Sequence, residues 1–277
     1  MARAKFKSYL PPFSGVKAEK GNCRGSAAIL LAGGKVDTDM TGVQTSSPAM
    51  PRVAVVIPAA GSGKRMGLVE NKVLLPLGGE PGLRHLVRLF STIPGVSRIA
   101  VMVQSGQRPA ISQALAGLAP DTLHLMEGGA ERQDSVRKGL EHLAADPPDW
   151  VLVHDGARPL ATRGLVDRVL TALHEHPSVV PALPITDTVR RRSGSHTEVV
   201  PREGLYQVQT PQGFHWGPLW NAHDTARREG FMGTDDAQLL EHSGIPAHLV
   251  PGEFSNLKLT VAKDILLAEV FFRLTND

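Results

Sequence analysis

A β-branched apolar run passes directly into a glycine-rich loop that ends in two adjacent cations. Residues 53–67 read Val-Ala-Val-Val-Ile-Pro-Ala-Ala-Gly-Ser-Gly-Lys-Arg-Met-Gly. This order predicts a buried strand followed by a phosphate-binding turn, because backbone N–H groups reach a polyphosphate only where side chains are small. The loop is not an ATP-type P-loop, which would need glycine at Pro58, nor a dinucleotide loop, whose last glycine is replaced by Met66. A strand and turn whose glycines serve only chain reversal is the alternative.

From residue 51 onward, short apolar runs alternate with amphipathic stretches. The predicted strands cover residues 53–57, 98–103, 122–126, 150–154 and 179–183. The predicted helices cover residues 83–92, 107–116, 135–144, 163–175 and 262–272. This alternation predicts an α/β, Rossmann-like fold whose mainly parallel sheet is covered by helices on both faces. Ligands bind at the carboxyl ends of the strands in such sheets.

Length and composition exclude several classes of protein. With 277 residues, of which 42% are hydrophobic and 21% charged, the chain can bury one large core. No apolar run approaches the roughly 20 residues that a membrane span requires. The single cysteine, Cys23, excludes an internal disulfide framework and suits a reducing compartment. We therefore expect a cytoplasmic protein that does not enter a membrane.

The basic charge of the chain is concentrated in its first 50 residues. These carry seven Lys or Arg and three Asp or Glu, a net charge of +4, so residues 51–277 sum to −1 of the overall +3. We predict a disordered N-terminal extension over 1–50 and one domain over 51–277, without a nucleic-acid footprint. The alternatives for the extension are a weak targeting segment around residues 26–32 and an upstream start-site error, with Met50 as the true start.

A second glycine-containing motif opens a predicted helix. Residues 128–136 read Gly-Gly-Ala-Glu-Arg-Gln-Asp-Ser-Val. The glycine pair, the polar first turn and Ser135 suit both helix initiation and ligand contact. The alternative is a well-started helix with no further role.

A third motif follows the predicted strand at 150–154. It reads His154-Asp155-Gly156-Ala157-Arg158-Pro159. Strand-end carboxylates in this architecture meet ligand hydroxyls or the metal of a metal–triphosphate, and the small residues after Asp155 keep the backbone open for a ribose. A structural ion pair between Asp155 and Arg158 is the alternative.

Taken together, the motifs resemble the 2-C-methyl-D-erythritol 4-phosphate cytidylyltransferases, nucleotidyltransferases of the non-mevalonate isoprenoid pathway. The resemblance covers nearly all of residues 51–277. Besides the three motifs above it includes Asn71-Lys72, Asp187-Thr188, Gln209-Thr210-Pro211-Gln212, Thr234-Asp235-Asp236 and Asn256-Leu257-Lys258-Leu259-Thr260.

This resemblance implies transfer of CMP from CTP to the 4-phosphate of methylerythritol, with release of pyrophosphate. Arg65 and Lys72 match the family's transition-state stabilisers, and Arg202 and Lys258 match the residues that hold and aim the acceptor phosphate. The positions that match nucleotide contacts are Ala59, Ala60, Gly61, Gly129, Ser135, Asp155, Gly156 and Ala157. The positions that match acceptor contacts are Arg158, Thr188 and Thr210. We expect Mg²⁺ to be carried mainly by the CTP phosphates, without a set of protein ligands.

Residues 185–204 do not continue the alternation of strands and helices that the rest of the domain shows. Two short β-prone runs flank Ser193-Gly194 and predict a projecting hairpin, the β-arm. Because an isolated hairpin is marginally stable in water, we expect it to pack on a partner. Related enzymes interlock such arms as homodimers, so Arg202 or Thr188 would serve the neighbour's site. Nucleic-acid binding by Arg190, Arg191 and Arg192 is the alternative.

Two other functions stay open at this stage. A ribitol-5-phosphate cytidylyltransferase would share the CTP half of the site and differ in the polyol pocket. A catalytically silent CTP-binding module would keep the loop without turnover, although the four predicted cations argue against it. We expect no fused cyclase, because the chain ends soon after Phe272.

Overall fold

The computed structural model describes residues 50–61, 71–118 and 121–276. These residues belong to one compact unit that spans Pro48–Asp277. The predicted disorder of residues 1–50 lies outside the described residues except at Met50, and the end of the glycine-rich loop, with Arg65, also lies outside them. Both therefore stay predictions.

An eight-stranded sheet forms the centre of the fold. The twelve strands among the described residues are β1 Val53–Pro58, β2 Pro76–Leu77, β3 Glu80–Pro81, β4 Val96–Val103, β5 Leu123–Glu127, β6 Trp150–Val153, β7 Ser178–Pro184, β8 Val189–Ser193, β9 His196–Val200, β10 Tyr206–Val208, β11 Gln212–His215 and β12 His248–Pro251. The order in the large sheet is β10-β7-β11-β6-β1-β4-β5, and β12 also pairs with β7. Strands β5, β4, β1 and β6 are parallel, whereas β11 runs antiparallel between β6 and β7. The prediction of a mainly parallel sheet is confirmed.

Seven α-helices accompany these strands in the described part of the chain. They are α1 Gly82–Ser91, α2 Arg108–Ala114, α3 Arg132–Leu143, α4 Arg163–Ala172, α5 Trp216–Glu229, α6 Asp236–His242 and α7 Lys263–Asn276. All five predicted helices are present, with ends within four residues of the predicted ones. Helices α5 and α6 and strands β2, β3, β10, β11 and β12 were not predicted. No described helix has both the length and the apolar character that crossing a membrane requires.

The side chains of β1 contribute to one core cluster on each face of the sheet. Val55 and Ile57 point into a cluster that contains buried side chains of α1, α2 and α4. Ala54 and Val56, which alternate with them along the strand, join a second cluster with α3, α5 and α6. Because successive side chains of a strand point to opposite faces, the continuous apolar run of β1 requires cover on both sides. The helices provide it, as predicted.

The β-arm is a separate two-stranded hairpin formed by β8 and β9. Ser193 pairs with His196, and the turn contains Gly194 at a φ of 58°, a conformation that glycine adopts without steric cost. Every residue of the two strands is exposed except the half-buried Val189 and Val200. The predicted hairpin is confirmed, and its faces are open to solvent in a single chain.

Helix α7 supports the segment that carries Lys258. Ala268 of this helix is buried in a small cluster with Leu77, Leu160 and Leu259. Leu259 also donates its backbone N–H to the carbonyl of Ala157, at 2.8 Å. The residue after Lys258 is thereby fixed against the loop that follows β6.

Candidate active site

The first part of the glycine-rich loop is held against neighbouring strands. The N–H of Ala59 donates to the carbonyl of Met102 at 2.8 Å, and the N–H of Gly156 donates to that of Pro58 at 3.2 Å. The side-chain amide of Asn71 donates to the Ala59 carbonyl at 2.8 Å. This bond joins the two ends of the loop, because residues 62–70 lie between them. Ala60 and Gly61 become progressively more exposed as the chain leaves the sheet, and Lys72 follows Asn71 in a half-buried position.

The turn between β5 and α3 requires glycine. A Cβ on Gly129 would lie 2.2 Å from the Cβ of Asp134 and 2.8 Å from its carbonyl carbon, so only a glycine fits against the first turn of α3. The N–H of Gly129 donates to the Ser135 hydroxyl at 3.0 Å, and this hydroxyl donates to the carbonyl of Glu131 at 3.1 Å. In this structure, buried Ser135 therefore stabilises the turn. Its contact with the nucleotide stays a prediction.

Asp155 lies directly after β6 and contacts two other predicted site residues. Its carboxylate accepts a hydrogen bond from Lys258 Nζ at 2.6 Å, and its N–H donates to the hydroxyl of Thr210 at 3.0 Å. The other carboxylate oxygen accepts from Nε of Arg132 at 2.8 Å. Asp155 is only 8% exposed, yet both of its oxygens have cationic donors. The structure therefore brings Asp155, Thr210 and Lys258 together, as members of one site must be.

These cations keep Asp155 ionised. Burial alone would raise the pKa of its carboxyl group, but the charges of Arg132 and Lys258, and their hydrogen bonds, outweigh it and hold the pKa well below its usual range. The site therefore presents a permanent negative charge flanked by two positive ones at neutral pH.

Arg158 does not form the ion pair with Asp155 that the sequence left as an alternative. Its terminal nitrogens donate to the carbonyls of Asn256, at 2.8 Å, and Val208, at 3.2 Å. Burial lowers the pKa of this guanidinium. Arg158 thus ties the loop after β6 to the segments before Thr210 and Lys258, and its predicted contact with the acceptor stays a prediction.

His154 is a buried neutral side chain beneath the site. Burial lowers the pKa of its ring to about 4. Its Nε2 lies 3.0 Å from the carbonyl of Arg158, and its Nδ1 lies 3.2 Å from the hydroxyl of Thr210. In the neutral ring, Nε2–H donates to that carbonyl and Nδ1 accepts from the hydroxyl. This leaves a Thr210 oxygen lone pair to accept the N–H of Asp155.

Arg132 also pairs with a second buried carboxylate, that of Asp236. Nη1 of Arg132 donates to Asp236 at 2.7 Å, and the other oxygen of Asp236 lies 3.0 Å from Nε2 of His223. Arg132 and Asp236 lie within quoted sequence motifs, but sequence reasoning gave neither of them a role and missed His223. The available signal was a histidine on the apolar face of α5, beside Leu219 and Ala226.

The remaining predicted residues lie in two places. Gly156 and Ala157 are buried in the loop after β6, beside Asp155. Arg202 and Thr188 are exposed at the base of the β-arm, where the guanidinium of Arg202 donates to the carbonyl of Thr186. Within the described residues no hydrogen bond or ion pair joins either of them to Asp155 or Lys258.

The sequence and fold match one family of known proteins. The family model described as 2-C-methyl-D-erythritol 4-phosphate cytidylyltransferase matches residues 53–274. A protein of that description from Synechococcus sp. (strain JA-3-3Ab) is 43% identical over 222 residues, which are 78% of this chain and 94% of the relative. The bifunctional enzyme IspD/IspF of Rhodospirillum rubrum is 45% identical over 225 residues, 81% of this chain. The chain spans 58% of that bifunctional relative and 54% of one from Chelativorans sp. (strain BNC1).

Solved structures lead to the same family. The 2-C-methyl-D-erythritol 4-phosphate cytidylyltransferase of Thermus thermophilus is 38% identical with a TM-score of 0.66, over 79% of this chain and 98% of that one. The 4-diphosphocytidyl-2C-methyl-D-erythritol synthase of Anaerococcus prevotii is 28% identical with a TM-score of 0.71, over 80% and 99% of the two chains. The family model covers every strand of the large sheet, and the two solved structures share the fold of this chain. The chain therefore belongs to the 2-C-methyl-D-erythritol 4-phosphate cytidylyltransferase family.

Proposed function

We propose that the protein transfers CMP from CTP to 2-C-methyl-D-erythritol 4-phosphate, giving 4-diphosphocytidyl-2-C-methyl-D-erythritol and pyrophosphate, a step in isoprenoid precursor biosynthesis. Family membership supports the reaction class and the substrates. The observation that carries the proposal in this chain is the ion pair of Lys258 with Asp155 beside Arg132. It places fixed charges at the carboxyl end of β6, next to the loop that follows β1.

The reaction joins two anions. A 4-phosphate oxygen of the acceptor forms a bond to the α-phosphorus of CTP, and the bond from that phosphorus to the bridging oxygen breaks as pyrophosphate leaves. Catalysis of such transfers consists mainly of positioning and electrostatic stabilisation. In this proposal Arg65 and Lys72 stabilise the charge that develops on the α-phosphoryl oxygens. Arg202 and Lys258 hold the acceptor phosphate.

The small residues around the sheet edge would admit the nucleotide. Ala59, Ala60, Gly61 and Gly129 border the two glycine turns, and Asp155 is the carboxylate available for the ribose hydroxyls of CTP. A phosphate that approaches Lys258 would share its ammonium with Asp155, since their 2.6 Å contact uses one of three N–H donors. The two substrates would therefore meet on opposite sides of this ion pair.

We propose that Mg²⁺ arrives bound to the triphosphate. The described residues include no group of three or more His, Cys, Asp or Glu that could hold a metal ion, and the oxygens of Asp155 are already paired with cations. This donor set suits a metal whose ligands are mostly phosphate oxygens and water. When bound, the ion would reduce the charge of the triphosphate, while the side chains above orient it.

We also propose a cytoplasmic homodimer assembled through the β-arm. The arm's open faces and the position of Arg202 at its base support this assembly. The arm's arginines do not favour nucleic acid as a partner, because each bonds within the hairpin: Arg190 with Thr197, Arg191 with Glu198 and Arg192 with Gly194.

One assay decides between the candidate functions. The purified protein is supplied with CTP, Mg²⁺ and either methylerythritol phosphate or ribitol 5-phosphate, and pyrophosphate and the CDP-linked product are measured, with CTP alone as the control. We expect product with methylerythritol phosphate. Product with ribitol 5-phosphate alone would make the protein a ribitol-5-phosphate cytidylyltransferase. CTP binding without product from either acceptor would identify a silent CTP-binding module.

A further inference from the structure

Five side chains form one continuous series of polar contacts from the interior to Lys258. In order they are His223, Asp236, Arg132, Asp155 and Lys258, with successive distances of 3.0, 2.7, 2.8 and 2.6 Å. The inner two are each 1% exposed, whereas the side chain of Lys258 is 39% exposed. From Asp236 outward the charges alternate in sign, so each group is held by opposite charges.

The inner end of the series is built into two helices. His223 lies on the buried face of α5, and Asp236 is the first residue of α6. Burial by itself would raise the pKa of Asp236, but Arg132 and the bond from His223 outweigh it and hold the pKa low. A buried carboxylate is strongly unfavourable unless it is paired and hydrogen-bonded, so the position of Asp236 is tied to both partners.

Arg132 connects Asp236 to Asp155, so the position of Asp236 affects that of Asp155. Its guanidinium is planar and rigid, and its Nε and Nη1 donate to carboxylates on different segments, Asp155 and Asp236. Two carboxylates at two edges of one plane fix its rotation, which a single partner does not. Asp155 in turn contacts Lys258.

We propose that Asp236 is a positioning residue for cytidylyl transfer and that His223 orients it, an inference that rests on the proposed function. Through Arg132 they fix the carboxylate of Asp155 and so the ammonium of Lys258. Neither Asp236 nor His223 touches a substrate in this scheme. A displacement of about 1 Å at reacting groups can lower a rate about 100-fold, so an anchor this far from the chemistry still controls turnover.

The first test replaces Asp236 with asparagine, which keeps the shape and removes the charge. The control is Asp224→Asn, which removes a carboxylate that pairs with Arg137 and Arg228 one residue after His223. Calorimetric titration with CTP counts folded sites, and the turnover number is expressed per site. We expect Asp236→Asn to lower kcat per site about 10-fold or more, and Asp224→Asn to leave it within about twofold of the wild type. An unchanged kcat per site in Asp236→Asn, with only a lower Tm, would reduce Asp236 to a structural role.

The second test uses His223 and decides the proposal if Asp236→Asn does not fold. Glutamine can still donate to Asp236, whereas leucine cannot. We expect His223→Gln to retain most of the wild-type kcat per site and His223→Leu to lose about fivefold or more. Equal values for the two variants would overturn the role of His223. A wild type that binds CTP without transferring CMP would overturn both the proposed function and this inference, whereas active variants beside an active wild type would overturn the inference alone.

Discussion

Lys258 and Asp155 form an ion pair of 2.6 Å although 103 positions separate them in the chain. The pair links the segment after β12 to the loop after β6, and Arg132 on α3 completes it from a third direction. Three separate parts of the chain therefore converge on one carboxylate. Its surroundings are cationic on both sides, which suits a site that receives phosphate groups.

Replacing Lys258 with methionine should lower kcat/KM about 10²- to 10³-fold, because a cation aimed at a phosphoryl group contributes about 3–4 kcal/mol at the transition state. The kcat/KM for methylerythritol phosphate is measured from pyrophosphate release at saturating CTP. Lys263→Met is the matched control, since Lys263 is exposed at the start of α7. Comparable loss in both variants would show that the effect comes from net charge and not from the position of Lys258.

The stability of the wild type should fall in acid through Asp155. Its pKa is lowered in the folded state, so its contribution is present above the unfolded pKa of about 3.9 and is lost as the pH falls below that value. We expect the free energy of unfolding, measured with denaturant between pH 6 and 2, to fall less steeply for Asp155→Asn than for the wild type. Asp187→Asn, at an exposed position of the β-arm, should keep the wild-type slope. Parallel curves for all three proteins would contradict this assignment.

His154 should add a second pH dependence at higher pH. Its folded pKa of about 4 lies below the ordinary histidine value of 6.5, so between these values the unfolded chain binds more protons than the folded one. Stability should therefore fall as the pH is lowered from about 6.5 to about 4. His154→Gln should reduce this fall, although His142 and His248, whose pKa values burial also lowers, still contribute to it. His196→Gln on the exposed arm should leave the fall as it is in the wild type. A fall as steep in His154→Gln as in the wild type would assign the effect to other groups.

Gly129→Ala should weaken CTP binding. The new Cβ would meet Asp134 at 2.2 Å, so the first turn of α3 has to move and the bond from Gly129 to Ser135 is lost. We expect a higher KM for CTP and a lower Tm. Gly217→Ala provides the comparison, because nothing lies within 4 Å of a Cβ at Gly217 and alanine favours a helix. If both variants bind CTP as the wild type does, the turn is not part of the nucleotide site.

The proposed dimer can be tested by complementation. In a shared site, Arg202 of the partner subunit would act beside Lys72 of the body. A one-to-one mixture of Arg202→Ala and Lys72→Ala chains, refolded together, should regain roughly a quarter of the wild-type activity, since half of the dimers are mixed and each has one intact site. Lys258→Ala mixed with Lys72→Ala should regain none. Equal recovery in both mixtures, or none in either, would argue against a site completed by the arm.

The sequence predicts best where a single pattern is repeated. From β1 to β7, all the strands of the large sheet and the helices between them were predicted because each has an apolar run or an amphipathic face of its own, whereas the two-residue strands β2 and β3 were not. Helix α5 escaped prediction because Gly217 and Pro218 stand at its start and its buried face is made partly of Ala222, His223 and Ala226, which give little apolar contrast. Pro is tolerated in the first turn of a helix, so the breaker signal was misleading. Helix α6 has only Ala237, Leu239 and Leu240 as apolar residues, and β11 contains one large apolar residue, Phe214, so neither shows a periodic apolar pattern.

The site was predictable as a set of motifs but not as a set of contacts. Motif order identified Asp155, Thr210 and Lys258, which the structure joins. It did not reveal that Arg132 connects Asp155 to Asp236, because the pairing of residues 104 positions apart depends on how α3 and α6 pack. Nor did it distinguish Arg158, whose terminal nitrogens bind backbone carbonyls, from a cation that faces solvent.

The long-range pairing of Arg132 affects when the site can fold while the chain is being synthesised. When Asp155 has left the ribosome, β1, β4, β5 and β6 have left it too, whereas Asp236 and Lys258 follow later in the chain and have not yet emerged. Arg132 and Asp155 then have only each other in a site that will bury them, and an incompletely compensated buried charge disfavours closure. The nascent site should stay hydrated until α6 and the segment after β12 emerge. The site around Asp155 can therefore close only after the C-terminal part of the polypeptide has emerged.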